Sequence, residues 1–237
     1  MFIAIDFKRF LKIFLLLLLV TAALVFLIRL TSPDIKDAIK QSRKSTLVID
    51  AGHGGIDGGA ISASGIKESD INLAIALKTD EIAQFFGVNT VLTRSSDTDN
   101  SEDKTYSEHN NLIARAEIAN SAENAVLISI HQNKFPSELV SGAEVMYSAI
   151  DGSKELGLIT QDNLVSKLDQ SNRRVARPAP SELLLTSSAK CPSILVECGF
   201  MSNPEEVKCL SDDTYQTKIA AILTASYIQY LNNSASA

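Results

Sequence analysis

The chain has 237 residues, 45% of them hydrophobic, with 22 basic side chains against 28 acidic ones and a formal net charge of −6. Residues 1–30 carry four basic groups and one acid, so residues 31–237 stand at −9. Such a domain does not hold nucleic acid or an anionic polymer by counter-ion release, though it is long enough to bury one substantial core.

Ile13–Ile28 is an uncharged apolar run of sixteen residues, preceded by Lys8, Arg9 and Lys12 and followed by Arg29. It is slightly short of the ~20 residues that span a bilayer, but the long stems of Lys12 and Arg29 can snorkel to the two interfaces. No small-x-small cleavage site follows closely, which favours a membrane anchor over residues 1–30. A cleavable signal peptide is the alternative. The basic N-terminus favours an inside orientation, an asymmetry that Lys36, Lys40, Arg43 and Lys44 weaken. Both readings put the remainder outside the cytoplasm.

Residues 31–45 are polar and read as a linker, with one catalytic domain expected over 46–237. Thr46–Asp50 is a short apolar strand that ends in a glycine-rich turn. Ser69 and Asp70 are N-cap candidates for a helix with Ile71, Ala74, Ile75, Ile82 and Phe85 on one face. That helix stops near Gly87, and Val88–Thr93 reads as a strand. Residues 95–107 form a polar loop, followed by a helix over Glu108–Ser121 and a buried strand over Ala125–Ile130. Gly142–Ser148 reads as a strand and Ser153–Leu168 as a helix. Arg173–Pro180 is irregular, because Pro178 and Pro180 block both helix and central strand. Leu183–Leu185 and Ser193–Cys198 are short apolar runs. Ser202 caps a short helix that has Pro204 in its first turn, and a last helix covers Asp213–Leu231. Strands alternating with helices predict an α/β fold, a mainly parallel twisted sheet flanked by helices on both faces. Cys191, Cys198 and Cys209 cannot all pair with one another; they read as small buried hydrophobes, with a Cys198–Cys209 bridge as the alternative.

His53 and His131 each follow an apolar strand directly, in LVIDAGHGG and VLISIHQN. The carboxyl ends of strands form the functional rim of α/β sheets, and two imidazoles there point to a metal site. Zinc catalysis needs three protein ligands and one open position. Glu68, at the start of the helix after the His53 turn, and Glu197, at the end of SILVE, can reach the same rim. The competing reading of each histidine, a hydrogen-bonded loop residue, carries equal weight on the residues alone. His109 lies in a polar helix start and reads as solvated. The turn GHGGIDGG lacks the GK[ST] of a phosphate loop, and neither HExxH nor GxSxG occurs. Asp50 and Asp57 flank His53, and one of them can orient its ring; a turn-forming aspartate is the alternative. Asn133 either meets substrate or fixes its loop. Arg115 reads as one half of an ion pair. Arg173, Arg174 and Arg177 form a dense basic stretch, read as a solvated loop with a contact to a substrate carboxylate as the alternative.

Seven ordered blocks go further: IDAGHGGIDGGA, GIKE, VLTR, ARAEIAN, SIHQN, SGAEVMYS and ILVECGFMSNPEE. They resemble the motifs of the zinc-dependent N-acetylmuramoyl-L-alanine amidases of the type 3 family, from about Leu47 to Leu231. The short chain without wall-binding repeats, and the stretches TRSSDTD and SIHQNKFPSELVSGAEV, are similar to the sporulation branch of that family, the germination-related spore-cortex amidases. The resemblance implies His53, Glu68 and His131 as zinc ligands and Glu197 as the catalytic carboxylate. It implies hydrolysis of the amide between the lactyl group of N-acetylmuramic acid and L-alanine in peptidoglycan, in preparation for muramic-δ-lactam. Gln132, Lys134 and Cys198 depart from the usual pattern without touching the implied ligands, and Lys134 bears on substrate preference. Two rival readings are a zinc carboxypeptidase acting on stem peptides and a membrane-anchored, non-catalytic wall-binding module. Peptidoglycan is the expected partner, and the need for an activator protein stays open.

Overall fold

In this computed structural model residues 11–22, 45–99, 107–181 and 183–234 are described. By contact the chain divides into Met1–Asp37 and Ala38–Ala237. In the first unit residues 11–22 are helical with their apolar side chains exposed. The rest of the expected anchor, its flanking basic residues and the linker up to residue 44 lie outside the described residues. Among the described residues no helix is long and apolar enough to cross a membrane.

The second unit is built on six strands: β1 (Thr46–Ala51), β2 (Asn89–Leu92), β3 (Ala125–Asn133), β4 (Glu144–Tyr147), β5 (Arg177–Pro178) and β6 (Ser193–Phe200). They form one sheet in the order β2-β1-β3-β6-β4-β5. β2, β1, β3 and β6 run parallel to one another, and β5 runs parallel to β4. β4 is antiparallel to β6, so the sheet is mixed, and the expectation of a mainly parallel sheet holds for every pairing but that one. Pro178 is tolerated because β5 is a two-residue strand on the sheet edge.

The helices are α1 (Glu68–Phe85), α2 (Glu108–Ser121), α3 (Ser153–Lys167), α4 (Leu184–Ser188), α5 (Pro204–Leu210) and α6 (Asp213–Ser234). Strand side chains alternate between faces. Leu47, Ile49, Val126, Ile128, Ile194 and Val196 are buried in one apolar cluster with residues of α1, α3 and α6. Val48 and Leu127 point the other way, onto Ala116 and Ala119 of α2 and Leu185 of α4. Covering on both faces explains why β1 and β3 read as continuous apolar runs.

Three local expectations change. Lys67, not Ser69 or Asp70, is the N-cap of α1. An antiparallel bridge between Ile61 and Lys67 and the bond from Glu68 N to Ala60 O start the helix earlier. Its buried stripe runs through Ile71, Ile75, Ala76, Thr79 and Ala83, leaving Phe85 85% exposed at the end. Asn203, not Ser202, caps α5, its side chain accepting from the N–H groups of Glu205 and Glu206. All three cysteines are free: Cys191 and Cys198 are buried as expected, whereas Cys209 is exposed against that expectation, and Cys198 and Cys209 form no bridge.

One polar knot lies in the α2 side of the sheet. Asp50 of β1, fully buried, accepts from Arg115 Nε at 2.7 Å and from Thr93 Oγ1 at 2.8 Å, and also from Ser129 Oγ. Burial opposes its ionisation, but the charge and hydrogen bonds of Arg115, with Ser129, hold the carboxyl down at about 2. A depressed carboxylate contributes stability above its unfolded value of 3.8, and loses that stability as pH falls toward 2. Arg115→Leu strands this charge and is expected to lower the unfolding free energy by about 3–5 kcal/mol. In Asp50→Asn the acid-induced fall of the urea midpoint between about pH 4 and pH 2 is expected to flatten; an unchanged pH profile would count against the ion pair.

Candidate metal centre

The site lies where β1, β3 and β6 end. His53 follows β1 in a turn closed by reciprocal bonds between Gly54 and Asp57, N to O at 2.8 Å and 3.1 Å. His53 itself has φ +61°, a left-handed backbone that costs a non-glycine residue energy and is held by the turn around it. Asp57 Oδ2 lies 2.7 Å from His53 Nδ1, and its Oδ1 accepts from Gly59 N at 3.0 Å. Of the two flanking aspartates, Asp57 is thus the one that orients the ring, while Asp50 belongs to the ion pair beneath.

Glu68 opens α1 and is 3% exposed. Its Oε1 lies 3.3 Å from His53 Nε2 and 3.1 Å from His131 Nδ1, and accepts from Gln132 N at 3.0 Å and Asn72 Nδ2 at 3.2 Å. Oε2 accepts from Ala60 N at 2.9 Å. One ligand-capable atom each from His53, Glu68 and His131 lies within 4.8 Å of the other two. Burial works against the charged forms here, but the charges answer one another. His131 and then His53 hold Glu68 far below the carboxylate range, while Glu68 and then Asp57 push His53 up to about 9. The donor set fits zinc: two imidazoles and a carboxylate, with Asp57 on Nδ1 of His53 leaving Nε2 free to coordinate.

Glu197 of β6 is in register with His131. Its Oε2 is buried with no hydrogen-bond partner. Burial, followed by the negative charges of Glu68 and Glu144, pushes the carboxyl up to about 8. A cavity of about 240 Å³ opens beside it, lined by His53, Asp57, Arg115, His131, Leu185 and Glu197 among others. Alternation along β6 turns Cys198 the other way, into the apolar cluster, so its thiol is no ligand candidate. His109 is exposed on α2 and stays outside the cluster. Asn133 fixes its own loop, with Oδ1 accepting from Lys134 N and its carbonyl from Met201 N.

Two supports escaped the sequence reading. Arg94, 5% exposed, donates to the carbonyls of Ala51, Gly52, Ser69 and Ser96 at 2.9–3.0 Å, tying the His53 turn to α1. Asn72 bridges Gly52 O, Glu68 and Gln132. The one signal for Arg94 was its place directly after β2, inside the block VLTR.

An α/β sheet whose strand ends gather two imidazoles, a buried carboxylate and a second, partnerless carboxyl group defines a hydrolase. Residues 47–228 match the family model of N-acetylmuramoyl-L-alanine amidase, and the chain belongs to that family of peptidoglycan amidases. It is 33% identical over 189 residues to the germination-specific N-acetylmuramoyl-L-alanine amidase of Bacillus subtilis, covering 78% of each chain. It is 26% identical to the amidase AmiA of Escherichia coli over 238 residues, 82% of this chain and 79% of that one. The CwlD amidase of Clostridioides difficile, solved in complex with the GerS lipoprotein, matches with a TM-score of 0.73 and 38% identity, covering 80% of this chain and 98% of that one. The carboxypeptidase and wall-binding readings fall away.

Gly52 is the tightest point of the site. A Cβ there would stand 2.4 Å from Cε1 and Nε2 of the His131 ring. Gly52→Ala is expected to displace His131 and to cost about 1–3 kcal/mol of stability in denaturant unfolding; a silent alanine would mean the ring is not held there.

Proposed function

We propose that the chain is a zinc-dependent amidase that cuts the bond between the lactyl carbonyl of N-acetylmuramic acid and L-alanine, with His53, Glu68 and His131 as the metal ligands. The observation that carries the mechanism is the half-buried Glu197 beside that cluster, whose buried Oε2 has no hydrogen-bond partner. Bound by these residues, zinc would supply a Lewis acid toward the amide carbonyl. Glu197 takes the proton of the attacking water and returns it to the leaving amine of alanine, acting as base and then as acid. Asp57 keeps His53 in the tautomer that presents Nε2. Leu183, Leu185 and Leu195 line the cavity beside the carboxyl and keep bulk water from it.

The likeness to a germination-specific amidase supports a role in spore-cortex maturation, the removal of stem peptides before muramic-δ-lactam forms. The apolar run Ile13–Ile28 supports membrane anchoring with the catalytic domain outside the cytoplasm. The solved complex of CwlD with the GerS lipoprotein supports a protein partner for this domain, and an activator is the role we propose for it.

Mass spectrometry of peptidoglycan treated with the metal-loaded chain is expected to show whole stem peptides with free N-terminal alanine, and none after chelation. Glu197→Ala is expected to keep its zinc in elemental analysis and lose about 10²–10⁴ in turnover. His53→Ala, Glu68→Ala and His131→Ala are each expected to lose the metal, and Asp57→Ala to bind it about 10–100-fold more weakly. A folded but zinc-free Glu197→Ala protein would reverse the assignment of roles.

A further inference from the structure

The reversal of β4 against β6 brings Glu144, the first residue of β4, directly opposite Glu197. Facing residues of an antiparallel pair carry their side chains on one face, with Cβ atoms about 5 Å apart. The Glu144 side chain is 11% exposed and is gripped by Arg174 Nη1 at 3.4 Å and Arg177 Nη2 at 3.1 Å. Met146, two residues along β4, pairs with Arg177 of β5, so Arg177 stands on the same face. Glu197, Glu144 and Arg177 therefore follow one another across β6, β4 and β5 at the rim of the site.

The two arginines differ in what they have left to offer. Arg174 also donates from Nε to Ser141 O at 3.0 Å, and its guanidinium lies 4.6 Å from the centre of the Phe200 ring; it is fastened on several sides. Arg177 is 44% exposed and makes only its bond to Glu144 among the described residues. A guanidinium has five N–H donors in a rigid fork, so four remain while one edge is held still. Such a fork matches a carboxylate by two parallel bonds, which a lysine cannot supply. Glu144 and Glu197 side by side would otherwise repel an acidic substrate, and the domain as a whole is negative.

We propose that Arg177 is a specificity-determining residue that receives a free carboxylate of the stem peptide, and that Glu144 holds its guanidinium in place for that purpose. The inference rests on the amidase reading and assigns the peptide to the β4–β5 side of Glu197.

The test compares native peptidoglycan with the same wall after its free carboxylates have been converted to primary amides. The metal-loaded full chain is expected to release alanine-terminated stems from native wall about tenfold more efficiently than from amidated wall, through KM, and Arg177→Gln to lose that discrimination. In a Glu197→Gln background, sedimentation with the two walls is expected to show the same preference, abolished by adding Arg177→Gln. A rate loss in Arg177→Gln that leaves the native-to-amidated ratio intact would overturn the proposal, since it would show a structural role acting through Glu144. Equal sedimentation of Glu197→Gln with both walls would also overturn it. Absence of released stems from either wall would instead count against the amidase reading, and the sedimentation result stands apart from it.

Discussion

A single buried carboxylate organises this molecule. Glu68 sits at the first turn of α1 with one oxygen facing both His53 and His131 and the other bound to the backbone of the loop that precedes the helix. An ionised carboxyl that is 3% exposed is tolerable only when charge and hydrogen bonds replace its lost hydration. Here two imidazoles, an amide side chain and two backbone N–H groups do so. The start of α1, the path of residues 52–67 and the ends of β1 and β3 must therefore agree to within a few tenths of an ångström. Arg94 enforces that agreement from below by tying the carbonyls of the turn to α1.

The two faces of the sheet divide the work. The face toward α1, α3 and α6 holds the larger apolar cluster. The face toward α2 and α4 has a small apolar cluster and, next to it, Asp50 with Arg115. That ion pair lies directly below the site, since Ser129, which bonds Asp50, precedes His131 by two residues on the same side of β3. Polar groups buried in this way add little net stability compared with apolar packing. They bind β1, β3 and α2 in one register, which is the register that brings His53, His131 and the cavity together.

The antiparallel strand gives the site its second side. A fully parallel sheet would present only strand ends at this rim. Because β4 runs the other way, its first residue arrives there instead, followed by the first residue of β5, and the rim gains a carboxylate and a guanidinium beside Glu197. A negative domain thereby carries a local positive group close to Glu197, on a different element from His53, Glu68 and His131.

Much of this was legible in the residues. The alternation of apolar strands and helices specifies the α/β class, since a chain that buries both faces of its strands needs helices to cover them. The ordered blocks around His53, Glu68, His131 and Glu197 specify the family, because each block combines a reactive side chain with the glycine or strand pattern that presents it. Alternation along SILVECG was enough to send Cys198 into the core and leave Glu197 on the other face. The start of α1 was misjudged because the capping preference of Ser69 and Asp70 is a local effect of about a kilocalorie per mole, and the bridge between Ile61 and Lys67 outweighs it. The contacts of Arg94 and Asn72 and the reversal of β4 were not legible, although Arg94 stands in the block VLTR. Each depends on which polar group or strand lies alongside, and partners 20 to 60 residues away in the chain leave no periodic trace in a sequence. The residues determined what chemistry was available; only the packing of distant segments decided which carboxyl would be stripped of partners and which arginine would be left with hydrogen bonds to give.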